Sequence, residues 1–405
     1  MKVAYYSPLP PERTGIADYS ALLLPALRER VDVDVAKRGG RARGDIALYH
    51  LGNNPDAHGW ILERLRADPG VVVLHDFVLH HLIAGMTLGR KDGPSYLAAL
   101  ERDGGVAARL LGLGVIDGCI PPLWEVRPED FPLCDAALDN ATGVIVHSRY
   151  VGDRVRERGY AGPVWHVPHP AWPAPAIEPE RPEGEPVFGA FGNLNASKRV
   201  GQLLDGFARF HERQPSATLV IVGAAAPGLD LDVRIEAAGL YGAVGWDDYV
   251  DEHRLWALMA GVDAVVSLRS PTMGETSGTV IRALTLAKPL IVSDVGWFAE
   301  LPDDAAFKVA PDEHEAEAVA DALERLNDPA TREAMGTAAR ALAESDHALD
   351  HVAELYLAAL EEAAGGEAVR DAVVGTVTAA AADVGIGAES REAERLARAL
   401  DEVEL

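Results

Sequence analysis

Cysteine is nearly absent. Cys119 and Cys134 are the only two in 405 residues, which rules against a disulfide framework and a Cys-ligated zinc site. Both are expected as reduced core thiols, with a local bridge between them the one pairing left open. Positive charge is scarce as well: 37 Lys and Arg face 63 Asp and Glu, a formal net charge of −26. Such an excess repels phosphate backbones and anionic lipid, so no nucleic-acid partner is expected, although one local basic pocket for a small phosphorylated ligand remains compatible. No uncharged stretch reaches the ~18–20 apolar residues that span a bilayer. The opening Met1-Lys2-Val3-Ala4-Tyr5-Tyr6-Ser7-Pro8 breaks too early for a secretory h-region. The expectation is a soluble, cytoplasmic protein without a transmembrane segment.

Several cofactor signatures are missing too. There is no G-x-x-x-x-G-K-[ST] and no G-x-G-x-x-G after the first strand, which argues against a P-loop enzyme and a simple dinucleotide oxidoreductase. There is also no H-E-x-x-H and no metal-spaced His/Cys cluster. His80 and His81 are adjacent and point to different sides of any regular element, one packed and one exposed. No cofactor and no metal are expected.

What is present is alternation. Short β-branched runs recur between longer helical stretches, the pattern of parallel α/β architecture. Strands are predicted at Val3–Ser7, Val31–Val35, Ile46–His50, Val71–Leu74, Gly143–His147 and Val164–Val167. A second series follows at Val187–Phe191, Ala217–Val222, Ala264–Leu268 and Leu290–Ser293. Helices are predicted near 16–30, 199–213, 251–261, 277–287 and 312–326. Between the two series lies 168–185, whose six prolines disfavour helix and central strand, so an exposed linker is expected there. The predicted organisation is an α/β, Rossmann-like domain over 1–168, a linker over 169–185, and a second Rossmann-like domain over 186–345. A crossover helix over 346–365 and a helical tail over 366–405 complete it, the tail being a surface appendage or a dimerisation element. In such folds ligands bind at the carboxyl ends of the strands, so a cleft between the facing halves is the expected active site.

Two strand-to-helix junctions of the second half look built for an anion. In Phe191-Gly192-Asn193-Leu194-Asn195-Ala196-Ser197-Lys198-Arg199, a glycine at the strand end permits close approach of a ligand. Lys198 and Arg199 stand at a helix N-terminus, where cations oppose the dipole and an anionic ligand would explain them. In Leu268-Arg269-Ser270-Pro271-Thr272-Met273-Gly274-Glu275-Thr276-Ser277-Gly278-Thr279, amides near Ser277, Gly278 and Thr279 would face a phosphate. Glu275 is either a partner for sugar or ribose hydroxyls or a helix-start acid. In the first half, His75-Asp76 follows an apolar strand, where the pair can bind a polyol or the histidine can exchange protons. Thr14-Gly15-Ile16 makes an amide-rich turn, with Asp18 in the helix it opens. His50, Asn53, Asn54 and His58 form a polar cluster suited to a hydroxyl-rich ligand.

Together these residues resemble a retaining glycosyltransferase of family 4, with the GT-B fold of two Rossmann-like domains facing a cleft and a C-terminal helical extension. The similarity runs over about 2–360 and is strongest between 187 and 303. Gly192 and Lys198 match the family's G-R-x-x-x-x-K diphosphate clamp, with Asn193 in the Arg position and Arg199 or Arg269 left to supply the cation. Glu275, Lys288-Pro289, Ser293-Asp294-Val295-Gly296 and Glu300 follow the later signature, in which Ala283 replaces the second glutamate. Val250-Asp251-Glu252-His253-Arg254-Leu255 resembles the nucleotide-side segment, which places Tyr249 and Val250 near the base. Gly15 matches the flexible glycine loop, and His75 the histidine that reaches the transferred sugar or the acceptor.

The resemblance implies transfer of a hexosyl unit from a UDP- or GDP-sugar to a hydroxyl acceptor, with retention and without metal, in glycan or glycoconjugate biosynthesis. Lys198, Arg199 or Arg269, and the amides at Thr276–Thr279 would stabilise the leaving diphosphate. Asp18, His50, Asn53, Asn54 and Asp76 would lie on the acceptor side. A GT-B-like phosphorylase or epimerase, or a catalytically silent sugar-nucleotide-binding subunit, uses the same elements.

Overall fold

The alternation resolves, in a computed structural model, into two six-stranded sheets, each parallel throughout. The structure describes residues 1–387 and 390–402; residues 388–389 and 403–405 of the expected tail lie outside them. The chain divides into two compact units, Met1–Val167 with Ala353–Leu405, and Pro168–Val352.

Unit 1 carries β1 (Lys2–Tyr6), β2 (Asp32–Val35), β3 (Ile46–Leu51), β4 (Gly70–Leu74), β5 (Ala141–Val146) and β6 (Val164–His166). They lie in the order β2-β1-β3-β4-β5-β6. The centre of this sheet is apolar because it is covered on both faces, and β4 is buried at every residue. Its first two helices start on side-chain caps. Thr14 Oγ1 accepts the Ala17 amide at 3.0 Å, and Asn54 Oδ1 accepts those of Asp56 and Ala57 at 2.9 and 3.3 Å. The helix Gly93–Ile116, bent at Gly104 and Gly105, has no counterpart in the sequence reading.

Unit 2 carries β7 (Val187–Phe191), β8 (Thr218–Val222), β9 (Val244–Asp247), β10 (Ala264–Ser267), β11 (Leu290–Ser293) and β12 (Ala306–Val309). Their order is β12-β11-β10-β7-β8-β9. Successive side chains of one strand enter opposite layers. Phe188 and Leu219 pack with Phe207, Phe210 and Leu323, while Val187 and Val220 pack with Ile281, Leu290 and Phe298. The two edge strands β9 and β12 were not predicted, because each has four residues with Gly245 or Lys308 interrupting the apolar run.

From Pro173 onward most of the proline-rich segment is exposed, as expected of a linker, but its start is buried and its backbone is tied to unit 2. His169, Pro170 and Ala171 are buried, the Ala171 amide donates to the His347 carbonyl at 2.7 Å, and the Glu180 amide donates to that of Ala257 at 2.9 Å. Arg181 pairs with Asp263 at 2.9 Å. Proline removes donors only at its own positions, so the residues between can strap an extended chain onto the unit's surface. The predicted crossover helix is Leu349–Gly365, and the boundary between the units falls inside it. Helices Glu367–Asp383 and Arg391–Glu402 follow and group with unit 1. Both thiols are free, but only Cys134 is buried; Cys119 is exposed and so is not a core thiol. No helix among the described residues is long and apolar enough to cross a membrane.

In unit 2 the strand succession reverses between β7 and β10, and in unit 1 between β1 and β3. Such reversals open a crevice beyond the carboxyl ends of the strands, because the connections on either side leave in opposite directions. The candidate residues lie at those ends.

Candidate functional site

In unit 2, β7 ends at Phe191 and the chain turns through Gly192, whose φ of +104° favours glycine. A Cβ on Gly192 would lie 3.5 Å from Lys198 Nζ and 3.5 Å from Thr279 Oγ1. An ammonium from the loop after β7 and a hydroxyl from the helix after β10 therefore converge on one bare stretch of backbone. The two loops are tied at Ser197. Its carbonyl accepts the Ser270 amide at 2.8 Å, and its Oγ accepts Arg269 Nη1 at 2.9 Å.

Arg269 Nε lies 2.7 Å from Glu275 Oε1. The other oxygen of Glu275 accepts the Met273 amide at 2.7 Å and the Thr272 hydroxyl at 3.1 Å. Ser277 caps the helix Gly278–Thr285 by accepting the Val280 amide at 3.3 Å. The amides of Gly278 and Thr279, in its first turn, have no intrahelical acceptor. Thr276 Oγ1 is buried without a hydrogen-bond partner among the described residues. Burial, followed by the nearby Arg269 guanidinium, pushes the Lys198 ammonium down to about 7, and Glu275 offsets this in part. A lysine held in this state gains from an anion.

Gly192, Lys198, Arg269, Glu275, Ser277, Gly278 and Thr279 are thus brought together as the sequence suggested. Arg199 is not. It adopts φ +54° and directs its guanidinium to the buried Glu315, with Nε 2.8 Å from Oε2. The expected second cation of the loop is a structural ion pair, and Arg269 is the arginine beside Lys198. Asn193 is exposed. Tyr249 is 71 % exposed beyond the edge strand β9, while Val250 packs on the core. Ser293 Oγ also holds the second loop by accepting the Arg269 amide at 2.7 Å; Ser197 and Thr272 were not singled out in the sequence, since any small polar residue in a loop looks alike.

In unit 1, His50 on β3, His75 after β4 and His147 after β5 form one cluster with Tyr19. His50 Nδ1 lies 3.0 Å from His75 Nε2, the His75 ring stands 4.8 Å from that of His147, and Tyr19 stands edge-on to His75 at 4.7 Å. Tyr19 in turn shares a 2.6 Å hydrogen bond with Tyr356. His147 was missed, although the signal was there: Ala-Leu-Tyr-His, Val-Val-Leu-His and Val-Ile-Val-His are three apolar runs each ending in histidine.

The expected acceptor-side polar cluster is largely spent on the backbone. Asn54 caps a helix, and Asn53 Oδ1 accepts the Leu82 amide at 3.1 Å. Asp76 Oδ2 accepts the Asn53 amide at 2.8 Å, and His58 Nδ1 donates to the His50 carbonyl at 3.1 Å. Turn-forming polar residues after a strand are claimed first by orphaned amides, which is why their presence alone did not mark a ligand site. Gly15 and Asp18 are exposed at the start of the first helix. His80 is buried between the Phe131 carbonyl at 2.8 Å and the Tyr96 hydroxyl at 2.9 Å, whereas His81 is exposed.

Burial favours the neutral form of His50, His58 and His80. His58 is pushed down to about 4 against the opposing pull of the His50 carbonyl, and His50 is lowered by burial, then by His147 and His58. An unfolded histidine binds its proton near 6.5, so the unfolded chain takes up protons first and stability falls as pH drops below that value. The expected contribution of His58 is about 1.4 kcal/mol per pH unit down to about pH 4. Urea unfolding across this range should show a shallower decline for His58→Gln; an unchanged slope would exclude the ring as a source.

Residues 176–342 match the family described as glycosyl transferases group 1. Alpha-D-kanosaminyltransferase of Streptomyces kanamyceticus is 28% identical over 180 residues, 43% of this chain and 46% of that protein. The chain thus matches about half the length of that curated relative.

Among solved structures, Anabaena HepE in complex with UDP-glucose is similar with a TM-score of 0.61, at 14% identity over 89% of this chain and 100% of that one. Sucrose-phosphate synthase from Thermosynechococcus elongatus gives 0.58, at 18% identity over 89% of this chain and 98% of that one. These likenesses establish the fold as GT-B, two Rossmann-like units each built on a parallel sheet. The family match lies in unit 2 and includes Gly192, Lys198, Arg269, Glu275 and Thr279.

Proposed function

We propose that this protein is a retaining, metal-independent glycosyltransferase that moves a hexosyl unit from a nucleotide diphosphate sugar to a hydroxyl acceptor, and that unit 2 holds the donor. The observation that carries this reading is the convergence of Lys198 Nζ and Thr279 Oγ1 on the backbone of Gly192. Breaking the bond between sugar and diphosphate leaves an oxocarbenium-like sugar and a developing dianion. Lys198, Arg269 and the first amides of the helix Gly278–Thr285 would hold that dianion, with charge enough to serve without a divalent ion. One preorganised donor of this kind is worth ~3–4 kcal/mol of barrier. Glu275 would meet sugar or ribose hydroxyls, Tyr249 and Val250 would lie toward the base, and His75 is the group that unit 1 offers to hydroxyls. The family match of unit 2 supports the reaction class, and the UDP-glucose bound by HepE supports the class of donor. Retention rests on the resemblance to family 4, as does cytoplasmic glycan or glycoconjugate synthesis; pairing of copies through the tail is a further proposal.

A thermal-shift series with UDP, GDP, ADP and their sugar conjugates tests the reading, because a ligand that binds only the folded chain raises its melting temperature. One nucleotide series is expected to stabilise the protein, and hexose transfer from its sugar conjugate to an acceptor is expected to continue in EDTA. Stabilisation without transfer to any hydroxyl acceptor would instead indicate a silent binding subunit, and loss of turnover in EDTA would overturn metal independence. Binding has a proton signature as well. A bound diphosphate favours the charged form of Lys198, so the complex takes up a proton and affinity weakens as pH rises above about 7. Affinity that stays level from neutral to alkaline pH would remove Lys198 from the anion contact. Glu275→Gln is expected to weaken donor-sugar recognition with the fold retained, and normal donor affinity and rate would refute that role.

A further inference from the structure

Three adjacent parallel strands bring His50, His75 and His147 to one end of the unit 1 sheet, and the bond between the first two has a direction that the surroundings fix. His50 Nδ1 and His75 Nε2 lie 3.0 Å apart, so one of the two nitrogens carries the hydrogen. His50 is fully buried, and its Nε2 meets no hydrogen-bonding group among the described residues. The rings of Tyr5, Tyr19 and Tyr356 lie 4.7, 5.9 and 6.4 Å from that of His50.

If His75 donated, the proton of neutral His50 would sit on Nε2 as a buried N–H without an acceptor, which is the rarer and costlier kind of orphan. If His50 donates, its Nε2 is a bare lone pair, which a buried site tolerates better. A doubly protonated His50 is disfavoured by burial and by His147 and His58 nearby. His147 itself donates from Nδ1 to the Val167 carbonyl at 2.8 Å.

We propose that His50 is a positioning residue that donates from Nδ1 to His75 Nε2 and thereby holds His75 as its neutral Nδ1–H tautomer. This deepens the reading of His75 as the hydroxyl-facing group of unit 1 and rests on it. The Nε2 lone pair of His75 is consumed by His50. His75 therefore has no basic nitrogen for an acceptor hydroxyl and meets ligand oxygen as a donor only. It is then a recognition group and not a general base, and the acceptor proton leaves by another route, such as a leaving phosphate oxygen of the donor.

The test is a long-range proton–nitrogen correlation spectrum of the full-length protein labelled with 15N-histidine, recorded near neutral pH. The signals of His50 and His75 are assigned by their loss in His50→Gln and His75→Asn. Both rings are expected with hydrogen on Nδ1 and none on Nε2. A His75 ring protonated at Nε2, alone or together with Nδ1, overturns the proposal. The spectrum of the unsubstituted protein decides this even where His50→Gln does not fold, and it needs no turnover, so failure of the glycosyltransferase reading registers separately.

With a working transfer assay there is a second readout. His75→Asn keeps a donor and should hold kcat/KM within about tenfold, the scale of one neutral hydrogen bond, with His75→Ala falling further. Equal loss of about a hundredfold or more in both variants, the scale of a lost general base, counts against a donor-only His75.

Discussion

Lys198→Met is expected to lower donor turnover by roughly a hundredfold or more, the scale of one lost oxyanion donor, without lowering the melting temperature. The two halves of that expectation have one cause. Lys198 is held with its ammonium beside Gly192 and Thr279 and near Arg269, and its proton affinity falls from 10.5 to about 7. Between those values the unfolded chain binds more protons than the folded one, so stability rises with pH and the charged side chain opposes folding near neutrality. Methionine fills similar space and removes that cost. Turnover and thermal melting, measured on the same preparation, check both halves. Unchanged kinetics would remove Lys198 from the diphosphate contact, and a large drop in melting temperature would make it structural.

The next residue should behave in the opposite way. Arg199→Met is expected to destabilise unit 2 by about 3–5 kcal/mol, the penalty for leaving a buried charge uncompensated. Glu315 is 1 % exposed and Arg199 is its ion-pair partner. Glu315→Gln, which removes the charge and keeps the shape, should cost less, and combining it with Arg199→Met should recover part of the loss. Urea unfolding of the three variants measures this. A wild-type midpoint for Arg199→Met, or additive losses in the double variant, would show that the pair contributes little.

The contrast between these neighbours marks how much of the site could be read in advance. Lys-Arg at a helix start was visible as an oddity, and only one of the two stands beside the bare backbone of Gly192. The sequence could not assign the other, because Glu315 lies 116 residues away and nothing local links them. The same division holds at the strand ends of unit 1. His75 stood out after four apolar residues, whereas Asn53 and Asn54 looked equally suited to a ligand until their oxygens proved to be taken by backbone amides. The core strands were legible because burial on both faces demands continuous apolar residues, and β9 and β12 were not, because each is four residues long with Gly245 or Lys308 interrupting the apolar run.

By itself the sequence determined the α/β class, the two strand series, and the loops that carry Gly192, Lys198, Glu275 and Thr279, since turn chemistry and apolar periodicity are local properties. Only the tertiary structure decided that Lys198 and Thr279 meet at Gly192, that Arg199 belongs to Glu315, and that His50 faces His75. Each of those pairings joins residues on different elements, and sheet order, which no local pattern encodes, sets which strand ends lie side by side.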